Sequence, residues 1–464
     1  MIHKFKQGDL YFVLDVNSGA VHVIDEIVYD LLDYYPKLCP ISAIKALVEK
    51  YPEDQLREAM ADIDQLIDAE MLLTDDQYIN SIEFQNRSPV IKALCLHVAH
   101  DCNLRCAYCF ASQGDFEGDR GLMSFEVGKK ALDLLVAYSG NRRNLEVDFF
   151  GGEPLMNFEV VKKLVDYGRS LEAANKKHFR FTITTNGVLL NDEIADYINA
   201  NMDNVVLSID GRKAVNDKMR YTISGGGSYD VIVPKFKSIV DKRGDKAYYV
   251  RGTYTRENLD FAKDVLHLAD LGFKSTSVEP VVTSPDIPYA LRDEDLPMLF
   301  AQYDEIAEAL IERDAAGKPF GFFHFAIDLS QGPCVIKRLT GCGAGSEYIA
   351  VTPEGDIYPC HQFVGNEHFL MGNVMAGVID FGLSNEFKNA HVYNKKKCRD
   401  CWAKFYCSGG CHANAYNFNH DIYVPYDLGC ELEKKRIECS IYVYSKLHEA
   451  ENAETVSEIV DMST

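Results

Sequence analysis

The sequence predicts an α/β protein: six β/α units forming a parallel barrel or open parallel sheet, with a small module before them and a cysteine-dense region after. Three observations predict this. Strand-like and helix-like segments alternate, with short loops, from residue 90 to about 330. The first ninety residues instead read β-β-α-α-α. Nine of the fourteen cysteines fall between Cys334 and Cys439, where the alternation stops.

The N-terminal stretch LYFVLDVNSGAVHVI has two β-type runs around Asn17-Ser18-Gly19, a hairpin signal. EIVYDLLDYYP follows, with Ile27, Leu31 and Leu32 at helical spacing and Pro36 closing the segment. ISAIKALVEKYP and LREAMADIDQLIDAEML continue the 3.6-residue apolar period. A generic helical cap and a winged-helix DNA binder are the competing readings of this module. In the middle of the chain VIKALCLHV, NLEVDFF, HFRFTITT, NVVLSI, AYYVRGTY and STSVEPVV read as strands. FEVGKKALDLLVAYS, EVVKKLVDYGRSLEAA, DEIADYINAN and LDFAKDVLHLADLG read as the helices between them. Chemistry in such folds sits at the C-terminal strand ends. A cysteine triplet, GGEP, TTNG and SIDG each stand at that place.

Bulk composition narrows the function. Seventy acidic against 48 basic residues give a net charge of −22, which disfavours a nucleic-acid groove and an anionic membrane surface. A neutral or basic peptide suits such a surface better. No apolar run approaches the roughly 20 residues that span a bilayer. MIHKFKQGDLYFV lacks the features of a signal peptide, so the expected location is the cytoplasm. Cysteines there serve as metal ligands or reactive thiols more often than as disulfides.

The motif HDCNLRCAYCF places Cys102, Cys106 and Cys109 at C-x3-C-x2-C spacing directly after a strand. Three thiolates on a tight loop can hold three irons of a [4Fe–4S] cube and leave the fourth open. Here the sequence resembles the radical S-adenosylmethionine (SAM) superfamily. The resemblance implies that the open iron binds the methionine end of SAM and that one electron then releases a 5′-deoxyadenosyl radical. It places Tyr108 in the aromatic slot before the third cysteine. It implies that Gly151, Gly152 and Glu153 of GGEP receive the methionine amino group through backbone carbonyls, that Ser208 of LSIDG meets the ribose and that Arg220 meets the carboxylate. Asn186 of TTNG is a further candidate for the same pocket. Asp328 of HFAID is a candidate acid or base, by likeness to sulfatase-maturing relatives.

The later cysteines follow the pattern C-x12-G-x4-C, then C-x2-C-x5-C-x3-C, then C. This resembles the SPASM extension of radical SAM maturases. Paired C-x2-C units also occur in zinc ribbons, but only Cys398 and Cys401 form one here. By the family's interleaved wiring Cys398, Cys401, Cys407 and Cys430 hold one auxiliary cluster. Cys342, Cys360 and Cys411 hold the other, with Cys334 as the best fourth ligand; without Cys334 an iron stays open for a substrate thiolate. Three [4Fe–4S] clusters and SAM are thus the expected cofactors. Cys39, Cys95 and Cys439 are left as buried structural residues, and His361 and His412 as neighbours of ligands or exposed side chains.

The first eighty residues resemble the winged-helix element that binds leader peptides of ribosomally made, modified peptides. The expected organisation is a recognition module over 1–85, a partial (β/α)6 radical SAM barrel over 86–325, a SPASM domain over 326–445 and a polar tail over 446–464. GPC, TPEGDIYPCHQF and KFYCSGGC resemble maturases of six-cysteine (SCIFF-type, ranthipeptide or sactipeptide) ribosomal peptides. The implied activity is thioether formation from cysteines of a cysteine-rich precursor peptide with its leader. An electron donor such as flavodoxin or ferredoxin is the other implied partner. The alternatives are a sulfatase-type maturase that makes formylglycine, and an iron–sulfur electron carrier, which would have no use for a nucleoside pocket.

Overall fold

The computed structural model describes residues 1–35, 40–80, 90–116, 118–327, 329 and 339–448. Asp328, Cys334, Cys39 and Pro36 lie outside the described residues. The N-terminal module opens with β1 (Ile2–Gln7), β2 (Leu10–Asp15) and β3 (Val21–Ile24), an antiparallel sheet in that order. The hairpin expected at Asn17-Ser18-Gly19 joins β2 to β3. The buried Asp15 carboxylate holds it by accepting from the Ser18 N–H at 2.9 Å and the Thr74 N–H at 3.0 Å. β1 is an element the sequence reading lacked, because IHKFKQ has few apolar residues and becomes a strand only by pairing with β2. The helix expected over EIVYDLLDYYP is shorter: Glu26–Leu31 is α-helical, capped by Asp25, and Leu32–Tyr34 tightens into a 3-10 turn. Helices Pro40–Leu47 and Glu53–Asp68 complete the module.

Alternation along β2 gives this small sheet two buried faces. Val13 joins Leu31, Leu56 and Ile63 in the module's own core, whereas Phe12 and Phe5 belong to the main core. His3 on β1 stacks on Trp402 with ring centroids 3.6 Å apart and hydrogen-bonds Glu438 at 2.9 Å.

The main sheet is built from β4 (Ala93–His100), β6 (Asn144–Gly151), β7 (His178–Thr185), β8 (Asn204–Ser208), β9 (Tyr248–Tyr254) and β10 (Ser275–Pro280), neighbours in that order and all parallel. These are the six strands the alternation predicts. A short β5 (Gly121–Leu122) pairs with β4, and β11 (Gly321–Phe322) extends the far edge in parallel. Leu94, Leu96, Val98, Val147, Phe149, Phe181 and Ile183 face the covering helices and are buried. Parallel strands covered this way need apolar residues on the helix side, and alternation then turns Cys95, His97, Asp148, Phe150, Thr184 and Arg251 to the opposite, lumenal face.

The cysteine-rich region is more regular than its sequence promises. β12 (Tyr348–Val351) pairs in parallel with the free edge of β4, with Tyr348 opposite Ala93 and Val351 opposite Leu96. β13 (Asp356–Tyr358), β14 (Gly372–Asn373) and β15 (Val378–Ile379) then continue the same sheet antiparallel. The last helix, Asp427–Leu447, runs past the boundary expected at 445/446 and packs on the helix Leu296–Ala315 and on β1. Among the described residues no helix is long and apolar enough to cross a membrane.

A buried ion pair ties the N-terminal segment to the C-terminal region. Lys404, only 4% exposed, donates to Asp76 at 2.8 Å, and Asp76 also accepts from the Tyr393 hydroxyl at 2.8 Å. Replacing Asp76 by Ala strands the ammonium, so the Asp76→Ala chain should lose about 3 kcal/mol of unfolding free energy in urea titration. The double variant with Lys404→Met should recover much of that loss.

Candidate functional site

The first cysteine loop is held by backbone approaches too close for any side chain. Gly152 N–H donates to the Ala99 carbonyl at 2.8 Å, and Glu153 N–H to the Asp101 carbonyl at 2.9 Å. A Cβ on Gly151, which has φ +125°, would lie 2.2 Å from the Ala99 oxygen. One on Gly152 would lie 2.2 Å from the Asp101 oxygen and 3.1 Å from the Cys102 Cβ. On its other side the loop is laced to the segment after β8, with Arg105 N–H on the Tyr221 carbonyl and Ala107 N–H on that of Met219, both at 2.8 Å. The triplet is therefore gripped between the ends of β4, β6 and β8.

Around it the expected pocket residues separate into two kinds. Arg220 donates through Nε to Asp210 at 2.9 Å, and the Tyr108 hydroxyl donates to both Asp210 oxygens at 2.7 and 2.6 Å. Thr253 N–H adds a contact at 3.0 Å. Arg220's Nη donors and the Ser208 hydroxyl have no hydrogen-bond partner among the described residues, and they suit a carboxylate and a ribose. Glu153 and Asn186 are instead committed to the protein. Glu153 is fully buried and accepts from Asn186 N–H at 2.8 Å, Thr185 Oγ1 at 2.7 Å and Leu155 N–H at 3.0 Å. Burial pushes its carboxyl up to about 7. Asn186 Nδ2 reaches Asn103 at 2.8 Å and the Cys102 sulfur at 3.6 Å. What GGEP offers a ligand is backbone, and the Glu153 side chain ties β6 to β7.

Burial holds the Cys102 and Cys106 thiols proton-bearing. Desolvation, then the neighbouring charges of Glu153, Cys106 and Cys109, pushes Cys102 up to about 12. Cys106 rises to about 11 by burial, opposed by the Arg220 guanidinium. The later cysteines fall into two mutually perturbing sets. Burial raises Cys360, with Cys411 and Cys342 raising it further; burial raises Cys407, with Glu433, Cys430, Cys398 and Cys401 adding to it. The second set lines one cavity of about 400 Å³. Among the described residues no three His, Cys, Asp or Glu side chains close on one point, as a single metal ion requires. Thiols spread around a shared space match a cube that takes one sulfur at each corner.

Local structure explains the spacing. Cys398 and Cys401 flank one turn, with Cys401 N–H on the Cys398 carbonyl at 3.1 Å. Cys407 ends a short helix and Cys411 precedes the next, so the Ser408-Gly409-Gly410 link sends the two thiols to different sets. Gly355, at φ +92°, turns β12 into β13 and delivers Cys360 at the hairpin's end.

That hairpin also brings the Cys360 set against the triplet. His361 lies with its ring centroid 5.4 Å from Phe110, the residue after Cys109, and 5.1 Å from Phe150 at the end of β6. The lumen below is polar. Arg251 pairs with Glu279 at 2.8 Å, Tyr348 hydrogen-bonds His361 at 3.1 Å, and burial pushes Asp148 up to about 7. His97 is wholly buried, shares a 3.1 Å contact with His100 and keeps an unpartnered Nε2.

Comparison with known proteins accords with this layout. Residues 92–233 match a 4Fe-4S single cluster domain family, and residues 342–402 match SPASM, an iron-sulfur cluster-binding domain. The chain carries both matched regions in that order. It is 29% identical to the mycofactocin maturase MftC of Mycobacterium tuberculosis over 69% of this chain and 78% of that one. Its fold is similar to anSMEcpe with bound AdoMet and a Cp18Cys peptide, at TM-score 0.64 and 19% identity, covering 79% of this chain and 100% of that one. It is also similar to Streptococcus suis SuiB bound to its precursor peptide SuiA, at TM-score 0.51 and 16% identity, covering 91% and 97%.

Several features of the site lie beyond sequence reading. Asp148, Arg251, Glu279 and Tyr348 come from strands far apart in the chain, and only the shared inward face of those strands unites them. His361 and His412 are interior; His412 is 3% exposed and bonds the Ala390 carbonyl at 3.1 Å. Cys95 and Cys439 are buried.

Two outcomes follow for the site. Gly152→Ala forces the cysteine loop away from GGEP, so it should lose triplet-bound iron, while iron bound by the C-terminal region stays. Electron paramagnetic resonance of the reduced protein separates the two. The second outcome is a pH dependence. Folded Cys102, Cys106 and Cys430 keep their protons to about 12, 11 and 11, whereas the ordinary thiol value is 9.0. The folded state thus binds more protons than the unfolded one in that window, and metal-free protein should lose stability as pH rises above about 8. Denaturant midpoints of stripped and iron-loaded protein at pH 7 to 10 check this, since loaded thiols have already given up their protons.

Proposed function

We propose that this chain forms thioether cross-links in a ribosomally made, cysteine-rich precursor peptide. The observation that carries the reading is the face-to-face placement of two cysteine groups. The triplet Cys102, Cys106 and Cys109 and the set Cys342, Cys360 and Cys411 flank one lumen, with the Phe110 and His361 rings 5.4 Å apart between them. SAM on a triplet-held cluster would supply a 5′-deoxyadenosyl radical there. Arg220 and Ser208 would bind its carboxylate and ribose, and the GGEP backbone its amino group. Asp210 keeps Arg220 oriented and Tyr108 packed beneath it, with the guanidinium 5.5 Å from the Tyr108 ring centre.

The balance of the reaction accounts for every group. A substrate C–H bond and a cysteine S–H bond are lost and one C–S bond forms. One hydrogen leaves in 5′-deoxyadenosine, the thiol proton goes to solvent, and the surplus electron goes to an auxiliary cluster. A flavodoxin- or ferredoxin-type donor would provide the electron that starts the cycle. Three [4Fe–4S] clusters are accordingly the proposed complement, two of them in the C-terminal sets. Cys334 would close the Cys360 set, or leave an iron for the substrate thiolate. Residues 1–85 would bind the leader, and Asp328 remains a candidate acid or base. Peptides bound to proteins of similar fold support the peptide assignment: SuiB has been seen with the precursor peptide SuiA and anSMEcpe with a Cp18Cys peptide.

The test is anaerobic incubation of a cysteine-rich precursor with enzyme, SAM and reductant. The peptide should lose two hydrogens per cross-link and resist thiol alkylation at one cysteine each time, with 5′-deoxyadenosine formed. Oxidation of a sulfatase-derived cysteine peptide, with cysteine-rich precursors untouched, would overturn the thioether reading in favour of formylglycine formation.

A further inference from the structure

Among the described residues, the C-terminal region buries a cation that no carboxylate neutralises. Lys395 is 0% exposed. Its ammonium donates to the Gly409 carbonyl at 2.8 Å, and among the described residues it has no other hydrogen-bond acceptor and no carboxylate at ion-pair distance. Lys404, also buried, shows the usual solution, because Asp76 neutralises it. An ammonium taken out of water without a counter-charge is costly, so such a group calls for an anion that arrives later.

The surroundings of Lys395 identify that anion. The sulfurs within its electrostatic reach are those of Cys398 and Cys407 from one set and of Cys411 and Cys342 from the other. Its hydrogen bond falls on Gly409, in the three-residue link between Cys407 and Cys411, where the sets diverge. A [4Fe–4S] cluster held by thiolates is a net anion and becomes more negative on reduction. A fixed positive charge between two such clusters would stabilise the reduced form of both, since net charge is among the factors that set their potentials.

We propose that Lys395 is a positioning residue that serves as the shared counter-cation of the two auxiliary iron–sulfur sites and raises the reduction potential of both. The inference rests on the reading that both C-terminal cysteine sets carry clusters.

The experiment compares anaerobically reconstituted wild-type protein with Lys395→Gln, which keeps an N–H donor for Gly409 and removes the charge. Iron and sulfide are counted first, and midpoint potentials are then read by poised electron paramagnetic resonance. With loading equal, both auxiliary signals should move to more negative potential, and the triplet signal should stay. Full loading with unmoved auxiliary midpoints would overturn the role of Lys395 alone. Iron for one cluster only in wild-type protein would overturn the auxiliary-cluster reading and this role with it. If Lys395→Gln does not load, Lys395→Arg decides. Loading with midpoints near wild type upholds the charge, and failure of both variants assigns Lys395 to the fold and overturns the proposal.

Discussion

Parallel pairing on both edges of β4 is the constraint from which the site follows. β6 on one edge brings Gly151 and Gly152 within backbone contact of the loop that leaves β4. β12 on the other edge starts the hairpin that ends at Cys360 and His361. One strand thus sets the distance between the triplet and the nearest C-terminal cysteine set. Because hydrogen-bond register ties all three strands, neither site can shift without breaking the ladder.

Desolvation does most of the electrostatic work. It raises the Cys102 and Cys106 thiols and lifts the Glu153 and Asp148 carboxyls to about 7. It also leaves charge only where a partner exists or is awaited. Arg220 has Asp210, Arg251 has Glu279, and Lys404 has Asp76. Arg243, also buried, lacks a carboxylate but spends its donors on four acceptor oxygens. Lys395 has a single acceptor among the described residues and stands beside two sets of cysteines.

The N-terminal module is built into this arrangement rather than appended to it. The outer face of its sheet contributes Phe5 and Phe12 to the main core, and His3 stacks on Trp402, the neighbour of Cys401. Anything that displaces β1 would be felt at the second cysteine set through one ring contact.

By itself the sequence determined the six parallel strands, the hairpin at Asn17-Ser18-Gly19 and the presence of chemistry at strand ends. These are local patterns: apolar periodicity, turn residues, and motifs a few residues long, each legible within its own window. The resemblance of the cysteine spacing to a known pattern supplied its grouping, which spacing alone leaves open. Tertiary structure decided the rest. The strand over Ile2–Gln7 exists through its pairing with β2, and the regular sheet within the cysteine-rich region exists because β4 had a free edge. The lumenal set of Asp148, Arg251, Glu279 and Tyr348, and the solitary Lys395, depend on contacts between segments distant in sequence. Which side chains share a buried space is fixed by packing, and packing carries no signal at the spacing of neighbouring residues.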